Sequence, residues 1–394
     1  MRTWWKRRWK PSLGSRSRRS RKFSPPTRLP AHRYAHLSDS NGGIAINVVL
    51  TIVIAILVFG FLIFFHELGH FLVAKAMKVK VNEFAIGMGP TLLKKKHGET
   101  TYALRAFPIG GFVAMEGENE ESDDDRAFNR KPVWRRVLIC IAGAFMNILL
   151  GVILLCIMNG CFGGQYLAST TVARVDVTFA SENKLEVGDE ITSINGAPVY
   201  VDYDISFNLL RDNDGVVDIG VNRNGQAMTL TGVEFPTTLG EDGKLYIQNI
   251  GESFKVYPEE KNFFSVLKHG ALQTLSVARL VWASLIDLIT GNVGLEQLSG
   301  PVGTAGVISQ AAFMGWDQFL FVVALITVNL GVFNLLPIPA LDGGRLVFLI
   351  IEAIRRKPLN PKYEGYVNAA SFLLLILLMV AVTFNDIVRI ATGG

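Results

Sequence analysis

Apolar runs long enough to cross a bilayer constrain this chain more than any other feature. Residues 44–72, 137–158, 319–336 and 367–382 form four such runs, three of them without a charged residue. A hydrocarbon core of about 30 Å takes roughly 20 helical residues to cross, and the last two runs are short for it. Lipid offers no partner to a backbone N–H or C=O, so segments of this kind are predicted as helices. A fifth apolar stretch, "FFSVLKHGALQTLSVARLVWASLIDLITG", carries Lys268, His269, Arg279 and Asp287 inside it. That pattern fits an amphipathic helix in the membrane interface better than a span. With 49% apolar residues in 394, the expected fold is a polytopic α-helical membrane protein with about four transmembrane helices.

Charge orients the spans. The loop over residues 75–136 holds twelve Lys/Arg, and the short loop after the third run holds Arg355, Arg356, Lys357 and Lys362. Four spans put both loops on one side, and the positive-inside tendency makes that side cytoplasmic. A fifth span would separate them. The region from about 160 to 316 is then expected outside. The formal charge of +5 divides into +11 from residues 1–43 and −6 from the remainder. A mildly acidic body argues against nucleic-acid binding. The arm, beginning "MRTWWKRRWK", has little apolar surface to fold around, so residues 1–43 are expected as a disordered basic extension. It reads as a start-site artefact or a dispensable tail, against a targeting or lipid-binding segment; its Arg/Ser content also resembles a plastid transit peptide. Cys140, Cys156 and Cys161 lack zinc-type spacing and read as apolar filler.

Within the external region, "LEVGDEITSINGAPV" is followed by "VDIGVNRNGQAMTLTG", alternating strands broken by Gly-Asp and Asn-Gly turns. With one helix near residues 202–211, this order resembles a PDZ domain, expected over residues 164–236. Such domains bind an extended peptide or a chain end by adding it to a sheet edge. Residues 237–316 are expected as an extracytoplasmic linker that includes the amphipathic helix.

Chemistry enters with "FFHELGHFLVAK". His66 and His70 are four residues apart, so on a helix they share a face and can reach one Zn²⁺. Glu67 beside them can take a proton from a zinc-activated water. Burying three ionisable side chains in a membrane helix is unfavourable without a partner, which argues against a chance match. Two histidines leave a catalytic zinc one protein ligand short. Asp342, in "NLLPIPALDGGRL", is the candidate third ligand because it follows two helix-breaking prolines at a similar expected depth. The alternative role for Asp342 is a helix N-cap before a Gly-Gly turn. Glu352, nearer the basic loop, is the weaker candidate ligand.

HELGH in the first run, "NLLPIPALDGG" late in the chain and a PDZ-like region between them resemble the site-2 protease family of intramembrane zinc metalloproteases. The similarity is greatest to its bacterial, RseP-like branch that regulates sigma factors. The resemblance implies His66, His70 and Asp342 as zinc ligands and Glu67 as catalytic base. It implies a membrane core in two halves, residues 44–160 and 317–394. "RAFPIGGFVAMEGE" resembles the family's cytoplasmic-side re-entrant β-loop, whose Gly110, Gly111, Phe112 and Val113 are expected to pair with an extended substrate. Asn334 is expected to hydrogen-bond the substrate backbone. "IAGAFMNILLG" matches a second-span pattern at Gly143 and Asn147 but has Ala144 in place of proline, which puts a kink there in doubt. Asn147 and Asn329 read equally as glue between helices. "LSGPVGTAGV" resembles the segment before the third span. The function implied is cleavage of single-span membrane proteins within the bilayer, with anti-sigma factors trimmed by another protease and remnant signal peptides as candidate substrates. The rival class is a metal carrier or a peptide-binding pseudoprotease, and the presence of Glu67 weighs against it.

Overall fold

The computed structural model describes residues 41–392 except 119, 121, 163, 177, 178, 180–184, 241–244, 249, 292, 293, 295–297 and 358. The basic arm before residue 41 therefore lies outside the described residues, as does every expectation made for it.

The apolar runs lie in long helices, α1 (Asn41–Ala76), α2 (Val133–Cys161), α4 (Phe263–Thr290), α6 (Trp316–Asn334) and α8 (Pro361–Thr392); shorter helices are α3 (Asp202–Leu210), inside a β-rich region, α5 (Pro301–Met314) and α7 (Asp342–Arg355). Five helical segments among the described residues are long and apolar enough to cross a membrane: Val48–Ala76, Val133–Cys161, Phe263–Thr290, Trp316–Asn334 and Lys362–Arg389. Small residues let the central helices approach closely. Gly69 of α1 lies against the Ala142 carbonyl, Gly331 against the Ala144 carbonyl, and Gly151 against Val328. A Cβ at any of them would stand within 3.0 Å of a neighbouring atom. α2 runs as one helix through Ala144. Cys140, Cys156 and Cys161 are free thiols on it, the first buried in the core.

Between α1 and α2 the chain forms β1 (Val81–His97) and β2 (Thr100–Met115), which fold on each other twice. Residues 83–86 pair with 101–104 on one side and with 111–114 on the other, while 93–97 pair with 100–104. The result is four strand segments with 107–115 at one edge and 91–97 at the other. Gly87, Gly89 and Gly110, all at positive φ, permit the reversals. One face rests on α1, where Phe84 and Val113 pack with Phe64, Phe71 and Ile139.

The β-rich region contains β3 (Tyr166–Val175), β4 (Glu190–Ile194), β5 (Ala197–Pro198), α3 (Asp202–Leu210), β6 (Val216–Arg223), β7 (Gln226–Glu234) and β10 (Phe254–Glu260). They give a sheet in the order β10-β3-β4-β6-β7 with β5 on β4, and β8 (Thr237–Leu239) pairs β9 (Leu245–Ile247) beside it. Its own core of Leu185, Ile191, Ile194, Ile205, Leu209, Ile219 and neighbours is separate from the helical cores.

The amphipathicity expected of residues 263–290 is present, and it is turned inside out. His269, Gln273, Thr274 and Ser276 of α4 are buried, whereas Phe263, Phe264, Trp282, Ile286 and Ile289 are exposed. The polar groups meet protein. Gln273 accepts from Asn159 of α2 at 2.9 Å, Ser276 donates to Asp204 of α3 at 2.8 Å, Arg279 donates to the Pro198 carbonyl at 3.1 Å, and Arg211 bonds Asp287. His269 lies 3.3 Å from Asp202. His269, Arg279 and Asp287 therefore fasten this stretch to the β-rich region, and the neutral Gln273 fastens it to α2.

Candidate active site

α1 continues as helix through HELGH, so His66 and His70 project from consecutive turns of one face. The chain between α6 and α7, "LPIPAL", cannot remain helical because each proline lacks an N–H. It makes a tight turn in which Gly343 and Gly344 lie against the Leu336 and Ile338 carbonyls, close enough that a Cβ at either would clash. Asp342 is the first residue of α7, and Leu341 holds the cap position with no side-chain cap bond. The Asp342 carboxylate is thereby free for another use, and it turns toward α1.

His66 Nε2 lies 3.1 Å from Asp342 Oδ2, His70 Nε2 lies 3.2 Å from the same oxygen, and the two Nε2 atoms are 3.2 Å apart. His70 donates Nδ1–H to the Ile139 carbonyl at 2.8 Å, an atom that can only accept. In the neutral ring its Nε2 presents a lone pair. Asp342 Oδ2 is buried, and among the described residues these two ring nitrogens are the groups that face it. Lone-pair atoms facing one another at 3.2 Å in a dry site repel unless a proton or a metal cation lies between them. Tetrahedral zinc at about 2.0–2.1 Å from its ligands separates them by about 3.3 Å, so the donor triangle fits that ion. Among the described residues, His66, His70 and Asp342 are the group of His, Cys, Asp and Glu able to hold a metal.

Several neighbours shape the centre. A Cβ on Gly143 of α2 would stand 2.3 Å from His70 Nε2 and 2.6 Å from His66 Cε1, so the absent side chain is what admits both rings. Gly111, on the edge segment of β2, lies over Glu67, where a Cβ would come within 3.2 Å of Glu67 Cγ. Phe112 stacks under the Arg105 guanidinium at 4.7 Å, and Val113 turns its side chain into the core with Phe84. Those two positions can therefore offer backbone to a ligand while their side chains hold the sheet. Gly110, at positive φ beside Met88, completes the turn into that edge. Asn334 ends α6, half-buried, ahead of the Pro-broken turn.

Glu352 stands apart from the centre and accepts from Arg136 of α2 at 3.0 Å, a structural ion pair. Arg345, one turn along α7 from Asp342, donates to Glu118 and lies 4.7 Å from the centre of the Phe128 ring. It clamps the segment after β2 to the helix that carries Asp342. Spacing of three residues from Asp342 was the available signal for Arg345, whereas the Ile139 carbonyl, a backbone group, had none.

The sequence pattern of peptidase family M50 matches residues 42–378. A candidate zinc metalloprotease of Clostridium acetobutylicum is 40% identical over 338 residues, covering 86% of this chain and 97% of its own length. The regulator of sigma-W protease RasP of Bacillus subtilis is 32% identical over 422 residues, covering 86% of this chain and 99% of its own. The zinc metalloprotease RasP of Bacillus licheniformis is 30% identical, with the same coverage of both chains.

Proposed function

This chain belongs to peptidase family M50 and is a zinc metalloendopeptidase of the site-2 protease type, and from that premise we propose that it cleaves single-span membrane proteins within their membrane segment. The observation that carries this reading is the position of Gly111: a strand edge unpaired among the described residues runs over Glu67, beside the His66, His70 and Asp342 donors. A peptide bond inside a membrane helix is hydrogen-bonded and dry. Residues 107–115 give an unwound substrate strand an edge to pair with, through the backbone of Gly110, Gly111, Phe112 and Val113, and Asn334 supports it from the α6 end.

His66, His70 and Asp342 would hold the zinc, which when bound would supply Lewis-acid activation of water and of the scissile carbonyl. Glu67 is the base. Its carboxylate takes a proton as the water oxygen attacks the carbonyl carbon, then returns it to the leaving nitrogen as the C–N bond breaks. Gly111 leaves room above that carboxylate for the reacting bond.

Four spans fit this arrangement, in a multi-pass bacterial inner-membrane protein with the site near the cytoplasmic side. α4 starts beside the end of α2, since Lys261 donates to the Phe162 carbonyl at 2.7 Å. By Gly300 the chain is beside Asp386 in the last turns of α8. The basic loops over residues 75–136 and 355–362 share one side with four spans and would be separated by a fifth. The β-rich region then lies outside as a PDZ-like domain that takes a peptide or chain end. Anti-sigma factors already trimmed by another protease, and remnant signal peptides, are the substrate classes, as the name of the B. subtilis relative points to sigma-factor control.

The test compares membrane-protein stubs in cells carrying wild-type protein or Glu67→Gln. Stubs that accumulate with the variant alone are substrates; purified Glu67→Gln should keep its zinc while turnover falls by about 10²–10⁴. Near-normal turnover in that variant would remove Glu67 as the base, whereas a zinc-replete wild-type protein with no turnover would favour the carrier or pseudoprotease class.

A further inference from the structure

Asn147 sits in the middle of α2, fully buried, and its side-chain nitrogen Nδ2 lies 3.2 Å from His66 Nδ1. Its other polar atom, Oδ1, is buried with no hydrogen-bond partner among the described residues. The backbone carbonyl of the same residue already accepts from Thr327 of α6 at 3.2 Å, so the contact between α2 and α6 does not need the amide. A buried amide with one orphaned oxygen and a nitrogen facing a ring nitrogen is a half-satisfied arrangement that has to be explained.

With Nδ2 donating to Nδ1, the neutral His66 ring carries its proton on Nε2 and gives it to Asp342 Oδ2, 3.1 Å away. That tautomer cannot ligate through Nε2. Turning the amide by 180° about its last bond puts Oδ1 where Nδ2 stands, satisfies the orphaned oxygen, and makes it an acceptor for Nδ1–H. His66 Nε2 then presents a lone pair into the triangle, matching His70, whose Nδ1–H is held by the Ile139 carbonyl.

We propose that Asn147 is a positioning residue for the metal centre: its amide oxygen accepts from His66 Nδ1–H and so holds that ring in the tautomer that ligates through Nε2. The two histidines thus have two kinds of partner. His70 is held in the ligating tautomer permanently by a backbone carbonyl, and His66 is held there by a side chain that can turn. This rests on His66, His70 and Asp342 being the zinc ligands, and it goes beyond that reading by giving Asn147 a role other than helix glue.

The experiment measures zinc affinity by competition with a chelator for purified full-length wild-type, Asn147→Leu, Asn147→Asp and His70→Ala proteins, together with thermal unfolding of each in zinc-free form. Loss of a hydrogen-bonding partner to a ligating histidine weakens metal binding about 10–100-fold. Asn147→Leu, of similar volume and unable to accept, should show that loss without a lower zinc-free melting temperature. Asn147→Asp, which accepts but cannot donate, should bind zinc at least as tightly as wild type. Asn147→Ala repeats the Leu test if the larger side chain disturbs α2. Equal zinc affinity in wild-type and Asn147→Leu proteins, or a loss in Asn147→Asp as large as in Asn147→Leu, overturns the role of Asn147. Unchanged affinity in His70→Ala overturns the ligand set itself, so the two failures are separable.

Discussion

Gly143 shows how little room the centre leaves at the scale of one residue. Its missing Cβ would fall 2.3 Å from His70 Nε2, inside any tolerated contact, and 2.6 Å from His66 Cε1. The helix backbone cannot retreat from α1, because on its other side the Ala144 carbonyl is already against Gly331 of α6. Gly143→Ala should therefore displace the imidazoles while leaving α2 helical, since alanine is the better helix former by about 1 kcal/mol. Metal analysis should find zinc lost and circular dichroism should find helix content retained; a zinc-replete Gly143→Ala protein would show that the rings have another way to fit.

Elements in this protein are joined by polar groups placed on otherwise apolar or β surfaces. α8 has few buried residues along its length, yet Asp386 on it is completely buried and accepts from the Gly300 and Gly303 N–H groups at the start of α5. In the sheet, Arg223 of β6 reaches the buried Asp189 before β4 with hydrogen bonds of 2.7 and 2.8 Å, and the Glu186 N–H adds a third at 2.9 Å. Burial pushes the Asp189 carboxyl upward, but the Arg223 and Glu186 bonds outweigh it and hold the group below the usual carboxylate range. A depressed folded-state value stabilises the sheet above the unfolded pKa of about 3.9 and loses that contribution as pH falls through the lower folded value. Arg223→Met leaves Asp189 buried without its cation, which removes about 3 kcal/mol near neutral pH and little in strong acid. Hydrogen exchange of the β6 amides in the whole protein, followed from pH 7 downward, checks this. Equal protection in both proteins at pH 7 would contradict it.

Over the whole molecule, His66, Glu67, His70 and Asp342 all lie outside the β-rich region, while α4 depends on it. Deleting residues 164–236 removes Asp202, Asp204 and Arg211, and with them the partners of His269, Ser276 and Asp287. The expected outcome is a zinc-replete protein that still hydrolyses a short, pre-trimmed substrate, accepts a wider range of longer ones, and melts at a lower temperature than wild type. Replacing His269 and Ser276 with apolar residues in the deletion should recover part of that melting temperature, because it removes polar groups that have lost a partner across the interface. A deletion protein that is inserted and holds zinc yet cannot cut the short substrate would make the domain part of the chemistry.

What one segment can decide alone was readable from its residues. Twenty apolar residues in a row leave the backbone only its own groups to bond, so the helices of the membrane core follow from composition. Four-residue spacing puts His66 and His70 on one face whatever surrounds them, and two prolines end α6 before Asp342. Contacts between distant segments were not readable in this way. Nothing in "FFSVLKHG" states which way its polar stripe turns; α2 and α3 decide that by presenting Asn159, Asp202 and Asp204 to it. The double pairing of residues 83–86 depends on which two strands reach them, since alternation marks a strand without naming its neighbour. Asn147 and His66 are separated by 81 positions. A helix period describes the face on which a side chain stands, and only the packing of α1 against α2 decides what that face meets.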